Sequence, residues 1–243
     1  MSKAVLDGDM IAYRAAFGSE HEIRWDDDLF TLHLDLNEAL DKVHTALVAI
    51  LHKLNTADYV TVFSPSKTFR HDLTPTYKAN RKDKRKPLGL KVLMHEVYEM
   101  HNGMRHDNIE ADDLIGIICT GDDSCIAVSG DKDFATLPCK WYNFLKDEMS
   151  ERTVEEANYN HLIQTLTGDS TDGYMGVKGI GPKTAEKLLT SKGATWSSIV
   201  DIYESKGMTE EEALLNARLA YILRSDDYDL ETKQIKQLWN PNQ

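Results

Sequence analysis

Apolar positions along the chain switch between two periods. Lys3 to Leu6 is a short apolar lead that runs into Asp7-Gly8-Asp9, and Met10 to Phe17 then takes up helical spacing, so the first segment predicts strand, acidic turn, helix. From Asp35 to Leu54 the residues Leu36, Leu40, Val43, Leu47, Ile50, Leu51 and Leu54 recur every three or four positions and predict an amphipathic helix. Tyr59 to Phe63 is β-branched and aromatic, a buried strand ended by Ser64-Pro65. Helical spacing returns over Leu88 to Met100 and over Asp112 to Thr120. Cys125 to Ser129 is another buried strand, running into Gly130-Asp131-Lys132-Asp133.

Strands alternating with helices predict an α/β fold with a parallel, doubly wound sheet. Ligands of such sheets sit at the carboxyl ends of the strands, and Asp7, Asp131 and Asp133 all lie just past a predicted strand. They can share one pocket. After Trp141 to Leu145 no strand pattern recurs. Residues 155–243 read as helices and turns, with Thr209 and Glu212 forming a capping box that opens a helix over Glu210 to Leu223. The expected organisation is an α/β domain over 1–155 and a helical region over 156–243.

With 41 % hydrophobic and 28 % charged residues the chain can bury a core and is not a disordered polar tract. Its longest apolar runs, such as Leu47 to Leu51, fall far short of the roughly 18 residues of a membrane span. The start of the chain reaches an acid before any signal-like stretch forms, so a soluble, cytoplasmic protein with no membrane partner is expected. Cys119, Cys125 and Cys139 show no C-x-x-C spacing, which fits a reducing compartment and counts against structural zinc.

The net charge of −12 argues against nucleic acid, but its distribution changes that picture. Between residues 78 and 91, Lys78, Arg81, Lys82, Lys84, Arg85, Lys86 and Lys91 stand against the single acid Asp83. A ring at Tyr77 beside these cations could stack on an unpaired base while they hold its phosphate; a solubilising basic loop is the alternative. The acids are clustered too: Asp7 and Asp9; Glu110, Asp112 and Asp113; Asp131 and Asp133; Asp169 and Asp172. Gathered together they repel unless protons or cations intervene. Hard oxygen ligands without a His/Cys cluster favour Mg²⁺ or Mn²⁺, and two such ions about 3.5–4 Å apart can activate water for phosphodiester hydrolysis. The plainer reading of each pair is a helix cap. Asp26-Asp27-Asp28 and Asp122-Asp123 read as solvated loops.

Gly176-Val-Lys-Gly-Ile-Gly181 followed by Pro182 reads as a hairpin between helices, its amides open to a phosphate. No strand precedes it, which disfavours a dinucleotide-binding loop. The histidines are scattered; His71 borders the basic segment.

The ordered motifs V-L-D-G-D-M-I-A-Y-R, T-F-R-H, Y-K-A-N-R, I-E-A-D-D, S-G-D-K-D-F and G-D-S-T-D-G-Y-M-G-V-K-G-I-G-P-K-T-A resemble the flap endonuclease and 5′-to-3′ exonuclease family. Within it the chain is most similar to the short bacteriophage exonucleases and the 5′-nuclease domain of bacterial DNA polymerase I. The resemblance runs from residue 4 to residue 190. It implies a PIN-like sheet, a helical arch over residues 68–100 and a helix-hairpin-helix over 172–190. It further implies that Asp7, Glu110, Asp112, Asp131, Asp133, Asp169 and Asp172 bind two Mg²⁺ ions, replaceable by Mn²⁺, with Asp113 beside them. Tyr77, Lys78 and Arg81 would lie at the base of the arch, Lys78 and Arg81 contacting the scissile phosphate, so that the catalytic set is Lys78, Arg81, Asp7 and Asp131. Arg70, Lys82, Lys84, Arg85 and Lys86 would follow the DNA. Gly176, Lys178, Gly179, Gly181, Lys183 and Thr184 would grip the duplex backbone around a K⁺ ion.

The activity so implied is 5′-to-3′ exonuclease or 5′ flap cleavage of DNA in replication, extending to RNA in hybrids, by a monomer in the cytoplasm, the host's if the chain is of phage origin. One departure stands out. The family carries a metal-ligand Asp after the strand matching Tyr59 to Phe63, and this chain has Ser64, Pro65 and Ser66 there. One metal site is then looser, or completed by Asp9 or water; a catalytically silent DNA-binding protein of the same fold is the alternative this suggests. Asp7-Gly8-Asp9 also resembles an aspartyl-nucleophile phosphatase, but Met10-Ile11-Ala12 follows where a hydroxyl residue is expected.

Overall fold

Strand β1 (Lys3–Asp7) hands the chain directly to helix α1 (Gly8–Gly18), because Asp7 is at once the last strand residue and the helix cap, accepting from the Met10 amide at 2.9 Å. This is seen in a computed structural model that describes residues 2–241. An antiparallel hairpin follows, β2 (Glu20–Asp26) and β3 (Leu29–Leu34), where the sequence predicts only a solvated loop at the tip. Ile23, Trp25, Phe30 and Leu32 are all exposed, so no core pattern marks these strands. Helix α2 (Leu36–Leu54) starts at Asp35, which accepts from the amides of Asn37 and Glu38, and stops at Asn55 in the left-handed region.

Next come β4 (Asp58–Val62), a short α3 (Phe69–Leu73), α4 (Leu90–Met100), β5 (Gly103–Met104), α5 (Ala111–Gly121), β6 (Cys125–Val128), β7 (Lys140–Asn143) and β8 (Glu148–Glu151). They form one sheet in the order β5-β4-β1-β6-β7-β8, parallel throughout except for the β7–β8 pair. Alternate residues feed opposite faces: Ala4 and Leu6 pack with α1, α2 and α4, while Val5 packs with α5. The predicted doubly wound α/β sheet is what the chain adopts, and all its parallel strands point their carboxyl ends the same way. Cys119, Cys125 and Cys139 are buried free thiols in the α5 layer. β8 departs from the strandless reading after Leu145; its exposed, largely polar residues hide it.

The remainder comprises α6 (Val154–Thr167), a tight hairpin of β9 (Gly168–Asp169) and β10 (Tyr174–Met175), α7 (Pro182–Lys192), α8 (Trp196–Glu204), α9 (Glu210–Ala220), and a last small pair, β11 (Tyr228–Asp229) with β12 (Gln234–Ile235). Leu166, Leu189, Ile199 and Tyr203 give this region its own apolar core. The helix expected to reach Leu223 stops at Ala220. Tyr221 turns extended, and residues 221–223 and Tyr228 return to the α5 core. Gly116 permits that return: a side chain there would meet the Leu223 carbonyl oxygen at 2.5 Å.

Residues 74–89 differ from a helical arch. Apart from one 3₁₀ turn at Ala79–Arg81 they form turns, folded down as a strap. One end is stitched to the β9–β10 loop, the Lys78 amide donating to the Asp172 carbonyl (2.7 Å) and Asn80 Nδ2 to that of Ser170 (2.7 Å). The other is held by Glu20, which accepts from Arg85 at 2.6 and 2.8 Å and from the Leu88 amide at 2.8 Å. Among the described residues no helix is long and apolar enough to cross a membrane.

Candidate active site

Three acids of the pocket, Asp7, Glu110 and Asp131, are placed as caps at the start of a helix or 3₁₀ turn, so for them capping and clustering are one arrangement rather than alternatives. Asp7 caps α1 and also accepts from Ser129 Oγ at 2.8 Å across the sheet. Glu110 caps α5. Asp131 caps the 3₁₀ turn Lys132–Thr136, accepting from the Asp133 amide at 2.9 Å, and its own amide donates to Ser129 Oγ at 3.1 Å. Asp169 accepts from the Thr171 amide at 2.7 Å, fixing the β9–β10 loop that presents Asp172. Capping leaves each carboxylate with spare lone pairs.

Glu110, Asp112, Asp133 and Asp172 line one pocket, and the acids of the cluster act on one another. Burial, then Asp9, raises Asp7 to about 7. Burial followed by Asp7 and Asp131 raises Asp112. Burial and then Asp131 raises Asp133 to about 7, with Asp169 contributing. Glu110 is the exception: burial works to raise it, but Lys78 and Arg70 bring it down to about 2. Lys78 Nζ donates to Glu110 Oε1 at 2.7 Å and stands 3.7 Å from Asp172, Arg81 pairs with Asp172, and Lys132 lies 3.2 Å from Asp169. The pocket thus carries cations on its rim and mutually repelling acids within.

Four expected residues sit elsewhere or act differently. Asp113 is fully buried, both oxygens used: it accepts from Arg70 at 2.6 and 2.8 Å, from the Glu110 amide at 3.0 Å and from the Leu223 amide at 3.1 Å. It is the counter-ion of a buried arginine. Arg70, expected on DNA, is therefore sealed in the core, donating also to the Leu219 and Tyr221 carbonyls. Tyr77 is buried rather than free to stack on a base; its hydroxyl donates to Glu110 at 2.8 Å and to Asp172 at 3.2 Å. Arg85 is committed to Glu20, whereas Lys82, Lys84 and Lys86 remain exposed.

At the glycine hairpin, Lys178, Gly179, Gly181, Lys183 and Thr184 are exposed around the start of α7, and no atom lies within 4 Å of where a side chain would begin on Gly179 or Gly181. Gly176 lies instead against the backbone at Leu166 to Gly168, holding the loop to α6. Ser129, Lys132 and Tyr174 also stand at this pocket and are not among the expected residues. The first two stand beside acids in S-G-D-K-D, a visible signal; Tyr174, buried near Asp133 and Asp172, gives none. His71 caps α3 with Thr68 and packs edge-on against Tyr77.

The donor set fits hard divalent cations. It is all carboxylate, and the Oδ1 of Asp9 is buried with no hydrogen-bond partner. Among the described residues no three of these side chains close round one point.

The family described as 5'-3' exonuclease, N-terminal resolvase-like domain, matches residues 2–164. The exodeoxyribonuclease of Enterobacteria phage T3 is 29 % identical over 98 % of this chain and 92 % of its own length. A flap endonuclease Xni of Shewanella baltica is 28 % identical over 81 % of this chain and 82 % of its own. The crystal structure of the T5 D15 protein co-crystallised with metal ions superposes with a TM-score of 0.70 at 15 % identity, covering 90 % of this chain and 89 % of that one. With the sheet, the acidic pocket at its carboxyl edge and these likenesses in agreement, the chain belongs to the 5′-3′ exonuclease family and is a 5′-to-3′ nuclease.

Proposed function

We propose that the chain is a divalent-metal-dependent 5′-to-3′ exonuclease and 5′ flap endonuclease that hydrolyses phosphodiester bonds of DNA, and of RNA in hybrids, during replication. The observation that carries this reading is the meeting of Asp7, Asp112, Asp131 and Asp133 with Asp169 and Asp172 in one pocket rimmed by Lys78 and Arg81. The T3 relative is named an exodeoxyribonuclease and the Shewanella relative a flap endonuclease. The working state is a monomer in the cytoplasm, the host's if the chain comes from a phage.

Asp7, Glu110, Asp112 and Asp131 would hold one Mg²⁺ or Mn²⁺ ion, and Asp133, Asp169 and Asp172 the other; bound there, the pair would supply an activated water and neutralise the oxygens of the phosphate. Lys78 and Arg81, at the pocket mouth, place their charges where the scissile phosphate enters and stabilise the charge that builds on it. Tyr77 keeps Glu110 and Asp172 in register, its one hydroxyl proton lying within reach of both carboxylates. Lys82, Lys84 and Lys86 draw the single strand along the strap. The start of α7, with Gly179, Gly181, Lys183 and Thr184, grips duplex phosphates without reading bases, with K⁺ held at the same turn.

The test uses a duplex labelled at both ends of one strand, incubated with Mg²⁺ or chelator. Release of short species from the 5′ label with Mg²⁺, lost in Asp131→Ala with duplex binding kept, supports the reading. Retained binding without any cleavage under Mg²⁺ or Mn²⁺ overturns it in favour of a binding protein.

A further inference from the structure

The strands at the acidic pocket are unequal. β1 ends in Asp7 and β6 runs into Asp131 and Asp133, but β4, beside β1, runs out through Phe63-Ser64-Pro65-Ser66 with no carboxylate. Asp9 reaches this bare strand end from the first turn of α1. Its Oδ2 accepts from the Ser64 amide at 2.9 Å, and its Oδ1 is buried with no hydrogen-bond partner.

The approach is built into the backbone. Gly8 lies flat against the Phe63 ring, where a side chain would sit 2.5 Å from Cζ, so α1 begins directly over the end of β4 and carries Asp9 with it. Satisfying the Ser64 amide needs only one oxygen, and a neutral amide side chain would serve. A buried carboxylate oxygen left without a donor is costly unless a cation or an ordered water completes it. Asp7, Glu110 and Lys78 are the charged groups that face Asp9, two of them fellow acids.

We propose that Asp9 supplies the metal-binding carboxylate of the β4 edge, its Oδ1 holding one of two divalent cations directly or through one water. Asp9 thereby replaces an acid that β4 itself lacks. This rests on the nuclease reading for the presence of the ions, but its test reads metal binding rather than cleavage.

The probe is Mn²⁺, titrated into the full chain with free ion followed by electron paramagnetic resonance. The unmodified protein should bind two ions. Asp9→Asn, which keeps an oxygen for the Ser64 amide, should weaken one site about 10- to 100-fold with an unchanged circular dichroism spectrum. Asp9→Asn combined with Pro65→Asp should recover it; position 65 is chosen because the Ser64 amide and hydroxyl are both engaged, the latter accepting from the Ala111 amide at 2.9 Å. Unchanged binding in Asp9→Asn, or no recovery in the double variant, overturns the assignment. Anomalous diffraction from Mn²⁺-soaked crystals of the unmodified chain is independent of how the variants fold: an ion beside Asp9 Oδ1 supports the proposal, and ions bound only elsewhere overturn it. A chain that binds Mn²⁺ through Asp9 yet never cuts DNA would sink the nuclease reading alone. Cleavage with Asp9→Asn titrating as wild type would sink this one alone.

Discussion

Arg70 and Asp113 grip each other through two parallel bonds of 2.6 and 2.8 Å, with both side chains all but closed off from solvent. Removing one partner strands the other's charge in the core, at a cost of about 3–5 kcal/mol. Asp113→Ala should lower the unfolding free energy, read by urea titration, by that amount while the folded fraction binds Mn²⁺ as before. Loss of metal with full stability would return Asp113 to the ligand set.

Tyr77→Phe keeps the buried ring and deletes only the donor to Glu110 and Asp172. Metal affinity should drop about tenfold, as for other outer partners of ligands, while metal-free affinity for single-stranded DNA, read by fluorescence anisotropy, stays unchanged. A marked fall in that affinity would show that the hydroxyl faces the nucleic acid.

The two groups of cations should fail differently. Lys78→Ala should reduce kcat roughly a hundred- to thousandfold at little cost in KM. Lys183→Ala, at the exposed start of α7, should weaken duplex binding for all sequences and lower the slope of log affinity against log salt by about one. A salt titration of binding for each variant decides this; equal effects on binding would merge the two roles.

Burial and then Asp9 lift Asp7 to about 7, and burial and then Asp131 lift Asp133 to about 7, from an ordinary 3.8. Between these values the folded chain holds protons that the unfolded chain has released, so the contribution of both groups to stability falls as pH rises through this window. Glu110, held at about 2 by its cations against the pull of burial, works the other way and adds stability that is lost only as pH falls toward that value. Asp7→Asn, which can still cap α1, should raise the melting temperature of chelated protein by several degrees near pH 8 and leave it unchanged near pH 4. A lower melting temperature near pH 8 would contradict the raised Asp7.

What could be read along the chain was whatever periodicity and strand-end position encode. β1, β4 and β6 carried the two-sided apolar signature of buried parallel strands, and Asp7, Asp131 and Asp133 followed from where those strands end. The β2–β3 hairpin escaped because both its faces meet solvent. Arg70 and Asp113 differ from expectation for another reason: a basic and an acidic residue inside functional-looking motifs are indistinguishable from ligands until the fold brings them together across 43 positions. Tyr77 likewise stands beside surface cations in sequence but points inward. Burial of a side chain whose neighbours are exposed is a tertiary fact with no local signal.

The Leu219 and Tyr221 carbonyls accept from Arg70, and the Leu223 amide donates to Asp113, the pair behind Glu110. In translation these carbonyls and this amide are made some 110 to 150 residues after the charges they satisfy. A nascent chain therefore cannot complete the support behind Glu110 until synthesis has passed residue 223.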